Sequence, residues 1–105
     1  MATVFITQQS RGKNIEPARK FGDINVILQQ GDTRPGCDYK ALLERLESEL
    51  AGFDPDQDYL LNIGDPHVTG MAYAIVMDKT GGNLCLLKWV MKSQEYVSSE
   101  IDVAW

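Results

Sequence analysis

Hydrophobic and polar positions along the chain fall into two periods, one near 2 and one near 3.6. Thr3–Thr7 (TVFIT) is a short β-branched and aromatic run that ends in the polar stretch Gln8–Asn14, the pattern of a strand and its loop. Glu16–Phe21, with Pro17 near its start, predicts a short helical turn. Ile24–Gln29 (INVILQ) predicts a second strand, and the turn formers of Gly31–Gly36 a loop. From Asp38, an N-cap type, the apolar residues Tyr39, Leu42, Leu43, Leu46, Leu50 and Phe53 recur at helical spacing. Lys40, Glu44, Arg45, Glu47 and Glu49 fall on the opposite face, so this helix is amphipathic. Tyr59–Ile63 (YLLNI) predicts a third strand, followed by the sharp turn Gly64-Asp65-Pro66, with Asp65 as N-cap and Pro66 as the first helical residue. Pro66–Lys79 predicts a second helix, apolar nearly all round from Met71 to Met77 and therefore expected to be largely covered. Leu84–Met91 (LCLLKWVM) reads as a fourth strand. Tyr96–Val103 alternates, with Val97, Ser99, Ile101 and Val103 on one side and Tyr96, Ser98, Glu100 and Asp102 on the other, as a half-exposed edge strand does.

The order is therefore β-β-α-β-α-β-β. Strands alternating with helices predict an α/β fold in two or three layers, spanning residues 1–105 as one domain. The sheet is expected to hold four to five mainly parallel strands, with two main helices, right-handed crossovers and a C-terminal antiparallel hairpin.

Charge changes the picture of partners. The 105 residues carry a formal net charge of −5, which opposes the counterion release that general nucleic-acid binding needs and disfavours anionic membranes. The acidity concentrates in residues 39–58. No apolar stretch approaches the roughly 20 residues of a membrane span, and the N-terminus lacks the form of a signal peptide. Cys37 and Cys85 stand 48 apart without a Cys-x-x-Cys, so neither a metal site nor a redox motif is expected, and reduced thiols suit a cytoplasm.

Catalytic motifs are missing: there is no Gly-x-Ser-x-Gly, and no cysteine has a neighbouring base in sequence. His67 is the one histidine. Asp65 is near it, yet residues two apart on a helix do not face each other. The chain thus leans away from an enzyme, with no catalytic residue and no cofactor expected. Open α/β sheets bind ligands beyond the carboxyl ends of their strands. Here that rule collects Gln8, Gln9, Arg11, Lys13, Arg34, Gly64, Asp65 and His67 as a candidate nucleotide or phosphate site, without a Gly-x-Gly-x-x-Gly or a phosphate-loop motif. A second candidate is an interaction surface: Glu44 and Glu47 on the acidic helix, and the aromatic Trp89, Tyr96 and Trp105 near the C-terminal edge.

The opening VFITQQ, Phe53-Asp54-Pro55-x-x-Asp58-Tyr59-Leu60, Gly64-Asp65-Pro66 and Leu87-Lys88-Trp89 followed by Tyr96 resemble small, uncharacterised proteins of tailed bacteriophages, over nearly the whole chain. The resemblance carries no activity and no site residue. It implies expression in an infected bacterial cytoplasm, and a protein of the kind that binds and redirects another. The leading expectation is a non-enzymatic protein acting by protein–protein contact. Two alternatives stay open: a nucleotide- or phosphate-binding domain using the loops after strands 1 and 3, and a self-assembling component that pairs through its edge hairpin into a homo-oligomer.

Overall fold

The computed structural model describes residues 1–104. One five-stranded sheet organises them, in the order β2-β1-β3-β4-β5. The strands are β1 (Thr3–Gln8), β2 (Asp23–Leu28), β3 (Tyr59–Leu61), β4 (Asn83–Val90) and β5 (Glu95–Asp102). β1 pairs in parallel with β2 and β3, and β3 with β4, while β4 and β5 form an antiparallel hairpin. This is the predicted α/β fold, in the predicted order of elements.

Two helices run between the strands, α1 (Tyr39–Leu50) and α2 (Pro66–Thr80). Each starts where a carboxylate caps free backbone N–H groups. Asp38 accepts from the N–H of Lys40 and Ala41, and Asp65 from those of His67 and Val68. Gly81, at φ 70°, closes α2 in the left-handed conformation that costs glycine nothing.

Alternation along the strands sends side chains to two separate cores. Phe5, Leu28, Leu60 and Leu84 pack under α1 and α2 against Leu42, Leu46, Leu50, Val68, Ala72 and Val76. Val4, Ile6, Leu61, Leu87 and Tyr96 face the other way, onto Ala18 and Phe21 of the 3-10 segment Glu16–Phe21 and Ile15 just before it. That segment is the short turn expected at Pro17. A second 3-10 turn, Gln30–Thr33, begins one residue before the predicted loop Gly31–Gly36 and runs into it, where Gln29 and Asp32 cap each other's backbone.

Two expectations need correction. β3 ends at Leu61 rather than Ile63, and its ladder with β4 covers two residue pairs, Tyr59–Cys85 and Leu60–Leu86. Beyond Leu86, β4 is paired with β5 alone. Helix α2 is also less covered than its composition suggests. One stripe meets the sheet and α1, so Tyr73 stays 38% exposed and Ala74 is exposed beside it.

Candidate functional site

The chain leaves β1 towards β2 on one side and later sets β3 on the other, so the strand order reverses between β1 and β3. In open α/β sheets such a reversal opens a crevice for ligands at the carboxyl ends. Here the crevice is filled by the protein's own side chains. Gln8 is 2% exposed. Its Nε2 donates to the carbonyls of Gln29 (3.0 Å) and Gln30 (3.3 Å) and to Thr33 Oγ1 (2.9 Å), and its Oε1 accepts from the N–H of Asp65 (2.9 Å). Thr7 Oγ1 closes the next layer, donating to the carbonyl of Ile63 (2.6 Å) and accepting from its N–H (2.8 Å). Gly64, at φ 108°, lies so near Gln8 that a Cβ there would overlap its amide.

The remaining residues expected on this rim are dispersed around the plug. Gln9 donates its N–H to the carbonyl of Leu28. Arg11 is exposed and gives its N–H to Gln30 Oε1, while Arg34 folds back onto the carbonyl of Gly31. Asp65 accepts from the Tyr39 hydroxyl (2.9 Å) as well as from its own helix. His67 is exposed and its ring meets the Tyr39 ring at 5.1 Å, tilted by 39°, with Nδ1 3.4 Å from Asp65 Oδ1. The sequence rule that separates residues two apart fails here because Asp65 is the cap, outside the helical turn. Burial pushes the Asp65 carboxyl up. The Tyr39 hydroxyl, the two N–H groups and the imidazole outweigh it and hold the carboxyl below its usual range. The same pairing, with burial and Cys37, pushes the Tyr39 hydroxyl up to about 12. With a carboxylate already seated on the α2 N-terminus, an incoming anion meets repulsion there.

The open volume lies one strand further on, where β3 and β4 part. A groove of about 830 Å³ begins at the loop Gly12–Asn14, passes Asn62–Gly64 and runs onto the β4–β5 hairpin. Lys13 and Gly64 of the predicted ligand set line it, as do Trp89 and Tyr96 of the predicted interaction set. It also recruits Asn62, Tyr73 and Lys88, which the sequence reading did not single out. Among the described lining residues there are two lysines and no Asp or Glu. Asn62 stands out most: its amide nitrogen and oxygen are both buried and have no hydrogen-bond partner among the described residues. Each such group costs about 1–3 kcal/mol. A signal existed in the sequence, because Asn62 is the one amide in the apolar run YLLNI.

The interaction candidates separate. Glu44 and Glu47 are exposed on α1, under which the first core lies. Trp89 and Tyr96 belong to the opposite core and meet edge to face at 4.9 Å. Tyr96 is buried, and its hydroxyl donates to the carbonyl of Asn14. Trp105 lies outside the described residues. Among the described residues, no group of three or more His, Cys, Asp or Glu could hold a metal ion, and no helix is long and apolar enough to cross a membrane.

A family model described as phage Pam3 gp32-like protein matches residues 2–103. No curated protein and no solved structure matches the chain.

Proposed function

The chain belongs to the phage Pam3 gp32-like protein family, and from that premise we propose that it is a non-catalytic binding protein acting by contact with another protein in the cytoplasm of the infected cell. The observation that carries this reading is the open flank at β5. β5 is an edge strand of the sheet, and of its eight residues only Tyr96 is buried. Val97 and Val103 are 39% and 44% exposed and stand, with half-buried Ile101, on the helix-bearing side of the sheet that neither α1 nor α2 covers at this end. An edge strand beside an apolar stripe is the surface on which a partner strand adds by main-chain hydrogen bonds and side-chain packing.

The charge on the edge selects the partner. Glu95, Glu100 and Asp102 lie along β5. Antiparallel pairing with a second copy about Ser98–Ser99 would set Glu95 opposite Asp102, which like-charge repulsion disfavours. A partner strand with Lys or Arg at those positions fits, and this supports a different protein over self-assembly.

The test is affinity capture from phage-infected cells at several salt concentrations. A specific partner is expected on the wild-type chain, and its yield should fall with salt. Val97→Asp and Val103→Asp should lose it, while Glu44→Lys and Glu47→Lys on α1 should keep it. The opposite pattern, or no specific partner at any salt, overturns the reading.

A further inference from the structure

We propose that the groove beside Asn62 is a separate ligand site for a nucleotide-sized molecule, a planar heterocycle carrying a phosphate. Four independent features of the groove converge on that chemistry.

Size comes first. About 830 Å³ lies inside the roughly 300–1,000 Å³ span of small-molecule sites. The second feature is charge. In a chain with 15 acidic and 10 basic residues, the groove's described lining has Lys13 and Lys88 and no carboxylate. A ligand with a negative group is drawn to that spot and repelled elsewhere.

The third feature is the unsatisfied amide of Asn62. Leu61 and Ile63 on either side of it pack in the core under the 3-10 segment, so Asn62 turns to the helix side of the sheet. Tyr73 of α2 and Leu86 of β4 line the groove there. A primary amide offers one donor and one acceptor side by side. The edge of a nucleobase offers the complementary pair, as adenine does to Asn in nucleic-acid recognition. A ligand edge of that kind, reaching the amide past the side chains that now shield it from solvent, satisfies both orphaned atoms at once.

The fourth feature is the wall. Tyr73, 38% exposed and on the same side of the sheet as Asn62, provides an aromatic face on which a heterocycle stacks, while Trp89 lines the groove from the opposite side. The β3–β4 ladder stops at Leu60–Leu86, so the main chain beyond it is spread apart and leaves room for a planar ring.

The site borders the β5 flank and shares Ile101 with it, and its test uses the purified chain with no partner protein. Thermal shift and calorimetric titration are run with inorganic phosphate, with nucleosides, and with nucleoside monophosphates of the four bases. Nucleotides are expected to raise the melting temperature more than phosphate or nucleoside alone. Lys88→Gln should weaken every nucleotide by a similar factor and flatten the salt dependence. Asn62→Ala should cut the preferred base's affinity about tenfold while barely changing the others, so that discrimination between bases collapses. Glu47→Gln, exposed on α1 and outside the groove lining, should bind like the wild type. No shift with any nucleotide, an equal shift with phosphate alone, or binding indifferent to both Lys88→Gln and Asn62→Ala overturns the proposal. Asn62→Ala removes an unpaired amide, so this variant is expected to fold.

Discussion

Tyr39 and Asp65 show how a cap can be reinforced from another helix. The Asp65 carboxylate holds the first turn of α2 and is held in turn by the first residue of α1. Because the folded carboxyl titrates below its unfolded value, its contribution is present above the ordinary 3.8 and is lost as pH falls through the folded value. Tyr39→Phe removes the donor, so the Asp65 titration, followed by NMR, is expected to move up. Tyr39 runs the other way. With its folded value raised from 10.0 to about 12, the neutral hydroxyl's contribution is complete below 10.0 and fades as pH rises through about 12. Tyrosinate absorbance should therefore show Tyr39 ionising well after an ordinary tyrosine, with Tyr96, pushed up by burial, also late, and Tyr39→Phe should remove one late step. At the plug, Gln8→Ala leaves the Asp65 N–H and the acceptors near Gln29 without a partner, and should cost about 1–3 kcal/mol in urea unfolding. Gly64→Ala should cost less in the Gln8→Ala background than in the wild type. The overlap with the Gln8 amide is then gone, and the 2.7 Å approach to the Cβ of residue 8 and the strain at φ 108° remain.

Among the elements, α1 makes the sharpest contrast between buried and half-buried leucines. Leu46 is fully buried in the first core, and Leu46→Ala is expected to cost about 2–5 kcal/mol. Leu43 is only half-buried, and the same substitution there should cost about 1 kcal/mol. The interior strand β1 has five consecutive buried residues, Val4–Gln8, and is paired on both sides. Hydrogen exchange is expected to be slowest at its amides and fastest at Met91–Gln94, the exposed hairpin turn. Equal protection in both places would contradict a sheet anchored at β1. Most of the strands and both helices were legible in the chain, down to the caps at Asp38 and Asp65, because period and capping are properties of a few neighbouring residues. The end of β3 was not legible. Asn62 and Ile63 continue a strand-like run, and only the course of β4 decides that the ladder stops before them.

At the scale of the molecule, the two helices occupy one side of the sheet and stop short of β5, leaving a flank and a groove at the same end. Like charges along the β5 edge disfavour pairing between copies. Sedimentation at low ionic strength is therefore expected to show a monomer, and a concentration-dependent dimer there would contradict the charge argument.

By itself the sequence determined the order of elements, the parallel body of the sheet with its antiparallel hairpin, and the alternation of β5. These follow from local periods and from turn residues such as Gly64, Pro66 and Gly81. Tertiary structure alone decided which strand ends are closed and which are open. Gln8 meets Asp65 across 57 residues, and Tyr96 meets Asn14 across 82. Contacts at that separation leave no trace in local periodicity. A polar residue in a strand-end loop reads the same whether it plugs a crevice, as Gln8 does, or stands unpaired beside one, as Asn62 does.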